Sequence, residues 1–159
     1  MKNKTVPITI LSVLIALTLG FIWINSCLPP ETSGNASLGV YQKIVSVVAT
    51  VFGEQASQSF SKVFTEQVLR KLAHFLEFGV LGIELAFLYA VIGKLTPKSY
   101  AFLGLYGVVV AVVDESIQIL SQRGARITDA LIDISGYLVC CLFTVLIIKL
   151  TQNKKPTKN

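Results

Sequence analysis

Four long runs of mostly apolar residues constrain the fold of this chain more than any other feature. They cover residues 6–24, 72–92, 100–120 and 130–150. A helix needs about 20 such residues to cross the hydrocarbon core of a bilayer. A segment surrounded by lipid must also satisfy its own backbone hydrogen bonds, which favours a helix over an isolated strand. The runs therefore predict an all-α, polytopic integral membrane protein with four transmembrane helices.

The composition supports this class and argues against a soluble or nucleic-acid-binding protein. Hydrophobic residues make up 53% of the chain and charged residues 14%, whereas a soluble domain carries about 25% charged residues. The net charge is +5, but the basic residues lie at the ends of the apolar runs and form no patch with interleaved aromatic residues. We therefore expect a single membrane domain over residues 1–159, no nucleic-acid partner and no cofactor.

The ends of the runs indicate an orientation. The first run has 19 uncharged residues, longer than the core of a cleaved signal peptide, so we interpret it as a retained helix. Three segments contain basic residues and no acidic ones: residues 1–5, 93–99 and 149–159. All three fall on one side of a four-span topology, and the positive-inside rule predicts that this side, with both termini, is cytoplasmic.

A long outer loop, residues 25–71, follows the first run. It opens with a breaker-rich stretch over residues 28–34. Residues 40–52 are apolar with helical spacing but too short to span a bilayer, and residues 55–69 are more weakly amphipathic. We predict an interfacial or re-entrant helix at the first place and an interfacial helix at the second, which together form a short amphipathic outer segment between the first two spans.

Polar residues occur at one depth in three of the predicted spans. At 1.5 Å per residue, His74, Glu77, Asp114, Glu115 and Asp133 all lie about 20–27 Å from the inner ends of their helices. We therefore expect His74 and Glu77 to converge with Asp114, Glu115 and Gln118 near the outer face. Ionisable residues inside a membrane are functional candidates by default. The alternative is a salt-bridged collar that only fixes the register of the helices.

Two kinds of chemistry fit this layer. His74 beside Glu77, Asp114 or Glu115 predicts a general acid–base site, because a histidine next to a carboxylate can titrate near neutral pH. For binding a substrate, the candidates are Lys71, Gln118, Arg123, Asp129 and Asp133. Basic residues at the outer surface can bind phosphates of lipid headgroups or lipid-linked precursors, although interfacial snorkelling explains them equally well. These residues are Arg70, Lys71, Arg123 and Arg126.

A metal centre is not predicted. One imidazole and several carboxylates suit a divalent cation, but the chain has a single histidine and no metal-ligand spacing. The three cysteines, Cys27, Cys140 and Cys141, also show no such spacing.

Three motifs resemble those of the VanZ-like membrane protein family. Residues 71–78, KLAHFLEF, resemble K-x-x-H-F-x-E-Y, and residues 114–118, DESIQ, resemble D-E-x-x-Q. Residues 123–136, RGARITDALIDISG, resemble R-x-x-x-x-x-D-x-x-x-[DN]-x-x-G, with Arg123 or Arg126 as the motif arginine. The ordered set covers roughly residues 20–148, with Phe78 standing where the family usually has Tyr.

This resemblance implies a bacterial cytoplasmic membrane protein with a role at the cell envelope. The founding member of the family is associated with resistance to teicoplanin, a glycopeptide that carries an acyl chain. The resemblance supplies no reaction. We therefore expect membrane lipids, and a lipid-linked cell-wall precursor or a lipoglycopeptide, as partners of a non-enzymatic envelope protein. The alternative is a small intramembrane hydrolase or transferase acting on a lipid-linked substrate.

Overall fold

Helices make up nearly all of the structure. The computed structural model describes residues 4–124 and 126–153, which form six α-helices and no strand. The helices are α1 (Thr5–Cys27), α2 (Pro30–Phe52), α3 (Glu54–Val63), α4 (Glu66–Ile92), α5 (Pro97–Leu120) and α6 (Ile127–Asn153). Four of them, α1, α4, α5 and α6, are long and apolar enough to cross a membrane. The predicted all-α fold with four candidate spans is confirmed.

Helix α4 lies at the centre of the bundle. It packs most extensively against α6, then against α1, and more lightly against α5, while α5 also contacts α6 and α1. The side chains at these contacts form the core and include Phe78, Leu81, Val110 and Tyr137. Many large apolar side chains on the outer faces of the four long helices remain exposed, as expected where lipid replaces water around the protein.

Glycines allow α4 and α6 to approach closely. A Cβ added to Gly82 would collide with the backbone of Tyr137, and one added to Gly136 would collide with the backbone of Phe75. On α5, a Cβ at Gly107 would enter the space of the Tyr137 ring. Close backbone contact at small residues is typical of helix packing in membranes.

The two ends of the bundle differ in their contents. At one end, which we call the pocket end, lie the last turn of α1, the α2–α3 pair and the α5–α6 turn (residues 121–124 and 126). At the opposite end, Lys149 of α6 lies over the ring of Tyr100 at the start of α5. There, Thr96 and Ser99 form a capping box that begins α5.

The outer segment differs from the prediction. Helix α2 begins at Pro30 rather than near residue 40, so the breaker-rich loop predicted over residues 28–34 is wrong from Pro30 onward. Proline at the first helical position lacks only an N–H that would have no partner there, and Glu31 suits the positive end of the helix dipole. Gly34 is then accommodated inside the helix.

The second predicted interfacial helix, over residues 55–69, is interrupted. Helix α3 ends at Val63, and α4 begins at Glu66 after Thr65, whose hydroxyl accepts a hydrogen bond from the Val68 N–H. Threonine is a strong helix N-cap. The prediction merged the two helices because their apolar residues continue the same spacing across the break.

Candidate functional site: a polar pocket between α4, α5 and α6

A polar pocket of about 140 Å³ lies at the pocket end of the bundle. It is formed by α4, the last turns of α5, the α5–α6 turn and the first turns of α6. Its lining residues are Gln67, Arg70, Lys71, His74, Gln118, Arg123, Gly124, Arg126, Ile132, Asp129 and Asp133. Nearly all of them are polar, in a chain with only 14% charged residues.

The glycine contact between α4 and α6 sets the depth of this pocket. Gly136 packs against the backbone of Phe75, and these residues lie next to the two side chains at the pocket floor. His74 precedes Phe75 directly, and Asp133 lies one turn before Gly136 on the same face of α6. The close packing therefore brings a histidine and an aspartate from parallel helices together.

His74 and Asp133 form the floor of the pocket. His74 Nδ1 lies 3.5 Å from Asp133 Oδ1. The Asp133 side chain is only 1% exposed, and neither of its carboxylate oxygens has a hydrogen-bond partner among the described residues. A buried carboxylate without donors is costly, so this group is an exception that requires a structural or functional reason.

Asp114 lies beside this pair and is held firmly in place. Ser26 of α1 donates a hydrogen bond of 2.5 Å to Asp114 Oδ1, and Gln118 Nε2 donates one of 2.8 Å to Oδ2. Ser26 and Asp114 are both fully buried. One nitrogen of His74 and one carboxylate oxygen each of Asp114 and Asp133 lie within 4.8 Å of one another. Three helices therefore supply one imidazole and two carboxylates to one point.

Arg123 ties the rim of the pocket to the rest of the bundle. Its Nη1 donates to the backbone oxygen of Asn25 (2.7 Å) and its Nη2 donates to Ser33 Oγ (2.9 Å). Burial lowers the pKa of the Arg123 guanidinium, and the nearby charge of Arg70 lowers it further. The carboxylate of Asp114 raises it. The guanidinium nevertheless remains charged, because no protein environment readily deprotonates arginine.

A second basic–acidic pair crosses the pocket mouth. Lys71 Nζ lies 3.7 Å from Asp129 Oδ1, and both side chains are more than a third exposed. Such a solvated pair contributes about 0–1 kcal/mol to stability. Lys71 is therefore easily available to an anion that enters the pocket.

The structure brings some of the predicted site residues together and leaves others outside the pocket. His74, Asp114 and Gln118 converge, and Lys71, Arg123, Asp129 and Asp133 join His74 and Gln118 in the lining. Glu77 and Glu115 do not line it, although Glu77 interacts electrostatically with Asp114 and Arg123. Glu115 is buried on α5 and interacts electrostatically with Asp129 and Asp114.

Some residues of the site were missed by sequence reasoning. Gln67, Arg70 and Arg126 line the pocket, and Ser26 holds Asp114. Arg70 and Arg126 were recognised as basic residues of the outer surface but were not assigned to the site. The signal for Ser26 was its polar character at the end of an otherwise apolar helix.

The arrangement has three chemical capabilities. The basic side chains of the lining can bind an anionic group. The His74–Asp133 pair can hold or transfer a proton. The three residues His74, Asp114 and Asp133 present a nitrogen and carboxylate oxygens with the spacing of a metal site.

Comparison with known proteins identifies one similarity. The model of the family described as VanZ/LLP1 matches residues 11–149, which include every residue that lines the pocket. No curated protein and no solved structure matches the chain.

Proposed function

The chain belongs to the VanZ/LLP1 family, and we propose that it acts at the outer face of the bacterial cytoplasmic membrane and lowers susceptibility to teicoplanin-type glycopeptides. At the level of the family, the protein is a multi-pass membrane protein linked to glycopeptide resistance. The proposal adds the location and the mode of action. The polar pocket binds an anionic headgroup and catalyses no reaction.

The observation that carries this proposal is the charge of the pocket. Four basic side chains line it, with two aspartates. These basic residues are Arg70, Lys71, Arg123 and Arg126. Arginine and lysine bind phosphate and carboxylate groups through charge-assisted hydrogen bonds. The excess of positive charge therefore favours an anionic ligand over a cationic one at the mouth of the pocket.

The size of the pocket limits what enters it. A volume of about 140 Å³ is below the usual range of about 300–1,000 Å³ for sites that enclose a drug-sized molecule. One phosphate or carboxylate group with its water fits, and the rest of the ligand must remain outside. An amphiphile meets this condition, because its acyl chain stays in lipid while its headgroup binds the basic residues. A lipid-linked cell-wall precursor and an acylated glycopeptide are both amphiphiles of this kind.

The test is a comparison of drug susceptibility in a teicoplanin-sensitive Gram-positive host. Wild-type protein should raise the inhibitory concentration of teicoplanin more than that of a glycopeptide without an acyl chain. The double variant Lys71→Ala, Arg126→Ala should lose most of this effect at an unchanged amount of protein in the membrane. Lys43→Ala is the matched control, because Lys43 is an exposed basic residue on α2 that does not line the pocket.

Full protection by the double variant would refute a role of the basic pocket residues. A loss that parallels reduced membrane abundance would instead support the interpretation of the polar layer as a structural collar. Blotting of membrane fractions from the same cultures separates these outcomes.

A second function, an intramembrane hydrolase or transferase, is favoured by one observation. His74 and Asp133 are adjacent at the floor of a pocket whose mouth binds anions, which is an arrangement suited to general acid–base catalysis. Profiling of membrane lipids and cell-wall precursors decides between the two functions. A lipid-linked product that accumulates with wild-type protein but not with His74→Gln supports the enzyme, and identical profiles support the non-enzymatic function.

A further inference from the structure

The three residues at the pocket floor have the geometry of a metal site. His74, Asp114 and Asp133 each offer one ligand atom, and these atoms lie within 4.8 Å of one another. Atoms that bind one ion at about 2.0–2.2 Å are separated by about 3–3.5 Å. The His74–Asp133 distance of 3.5 Å already meets this condition, so only a small adjustment of Asp114 would complete the set.

Asp133 supplies an independent reason to expect a ligand at this point. Its side chain is 1% exposed, it lines the pocket, and neither Oδ1 nor Oδ2 has a hydrogen-bond partner among the described residues. The His74 Nδ1 atom that faces it is also buried without a hydrogen bond. The Asp133 carboxylate and the His74 nitrogen can both bind a metal, and neither has a hydrogen bond within the described part of the chain. Two such groups facing each other indicate that they share a ligand.

The two basic residues of the lining that have ordered partners do not serve as that partner. Arg123 directs its guanidinium to the Asn25 backbone and to Ser33, and Lys71 pairs with Asp129. Two carboxylates and a neutral imidazole carry a charge of −2. A divalent cation would balance this charge, whereas a proton on His74 would balance only half of it.

Asp114 is oriented as metal-binding carboxylates are. Ser26 and Gln118 each donate to one of its oxygens, and every carboxylate oxygen has a further lone pair available. Such outer hydrogen bonds fix the direction of a ligand and are a regular feature of metal sites.

We propose that His74, Asp114 and Asp133 bind one divalent cation of the Zn²⁺ or Mn²⁺ type. Imidazole nitrogen suits zinc and carboxylate oxygen suits manganese, while Mg²⁺ and Ca²⁺ prefer oxygen ligands alone. Three protein ligands leave coordination positions open, as in catalytic metal sites. Those positions face the pocket, where they are available to water or to an anionic oxygen of a bound headgroup. The inference goes beyond the proposed function and does not depend on it.

The test measures metal binding by the purified full-length protein. The protein is prepared in detergent with an affinity tag that contains no histidine, stripped with a chelator and titrated calorimetrically with ZnCl₂, MnCl₂ and MgCl₂ in separate experiments. We expect one Zn²⁺ or Mn²⁺ per chain, and much weaker binding of Mg²⁺. Asp133→Asn and His74→Gln should each weaken binding by more than the roughly 10–100-fold that loss of an outer-shell partner causes.

Asp129→Asn is the matched control. Asp129 lines the same pocket and lies one turn before Asp133 on α6, but it pairs with Lys71 and lies outside the three-residue cluster. This variant should weaken binding of the ion far less than Asp133→Asn or His74→Gln does, because it removes a nearby charge but no ligand. The proposal would be overturned if Asp133→Asn and His74→Gln bound the ion as tightly as the wild-type protein, or if the wild-type protein did not bind it.

Thermal unfolding distinguishes loss of the ion from loss of the fold. The ion should raise the melting temperature of the wild-type protein and of Asp129→Asn. Asp133→Asn removes a buried charge without changing its size, so its stripped form should be at least as stable as the stripped wild type and insensitive to the ion. Stabilisation of Asp133→Asn by the ion equal to that of the wild type would contradict the assignment. Drug susceptibility plays no part in these measurements, so the metal site and the proposed function can fail separately.

Discussion

Arg123 joins three segments of the chain through one side chain. It lies in the α5–α6 turn and donates hydrogen bonds to the end of α1 at Asn25 and to the first turn of α2 at Ser33. Both acceptors are uncharged, and each such bond to a charged donor contributes about 1.5–3 kcal/mol. The forked guanidinium reaches both acceptors at once, which a lysine ammonium on a flexible stem does not reproduce.

We expect Arg123→Lys to destabilise the protein even though the charge is kept. Loss of one of the two bonds, about 2 kcal/mol, should lower the melting temperature by about 4–8 °C in a chain of this size. Fluorescence of the single tryptophan, Trp23, reports on this directly, since Trp23 lies two residues before Asn25. Arg126→Lys is the control, because the Arg126 side chain is exposed and has no hydrogen bond or ion pair to the described residues. Equal melting temperatures for the two variants would argue against the role of Arg123.

At the residue scale, depth was predictable but pairing was not. The count along the predicted spans placed His74 and Asp114 in one layer, and the structure brings them together. The acid–base hypothesis named Glu77, Asp114 or Glu115 as the carboxylate beside His74. Asp114 does lie close to it, but the carboxylate 3.5 Å from His74 Nδ1 is that of Asp133. Hydropathy fixes the depth of a residue along the membrane normal, but the partner depends on the rotation of each helix, which is set by glycine contacts far apart in the sequence.

The packing of α4 against α6 controls the site at the scale of the helices. We expect Gly136→Ala to force these helices apart, because the added Cβ would meet the backbone of Phe75, which cannot move aside as a side chain can. Overpacking of this kind costs about 1–3 kcal/mol, which corresponds to a decrease of about 2–12 °C in melting temperature for a chain of this length. The measurement is thermal unfolding in detergent, together with the amount of protein in the membrane.

Gly104→Ala is the matched control for this prediction. Gly104 lies on α5 and has no heavy atom within 4 Å of an added Cβ, and alanine favours a helix more than glycine does. The melting temperature of this variant should be unchanged or slightly higher. A comparable loss of stability in both variants would show that helix propensity, and not the close contact, explains the effect.

At the element scale, hydropathy predicted the long helices and missed the boundaries set by polar residues. Helix α4 begins at Glu66, six residues before the predicted start, because Thr65 caps it and polar residues of the first turns continue the helix outside the apolar run. The prediction begins α2 about ten residues late, because proline and glycine in residues 28–34 usually interrupt a helix. Proline does not break a helix at the first helical position, where Pro30 lies. A single glycine such as Gly34 is tolerated inside a helix.

The distribution of charge predicts how the whole molecule is oriented across the membrane. The end opposite the pocket carries Lys4, Lys94, Lys98 and Lys149 without an acidic neighbour in these segments. The pocket end carries basic residues mixed with acidic ones. The asymmetry follows from the sequence, and the structure adds that the polar pocket lies at the end away from the purely basic segments. The positive-inside rule then predicts that the pocket faces outward.

We expect cysteine labelling in intact cells to confirm this orientation. In a variant whose three native cysteines are replaced by alanine, Glu54→Cys places a thiol at the start of α3, and Lys98→Cys places one at the start of α5. Both positions are exposed. A membrane-impermeant maleimide should label residue 54 in intact cells and residue 98 only after permeabilisation, because the reagent cannot cross the bilayer. The reverse pattern would place the pocket on the cytoplasmic side, where it could not meet glycopeptides or exported precursors, and the proposed function would then fail whatever the pocket binds.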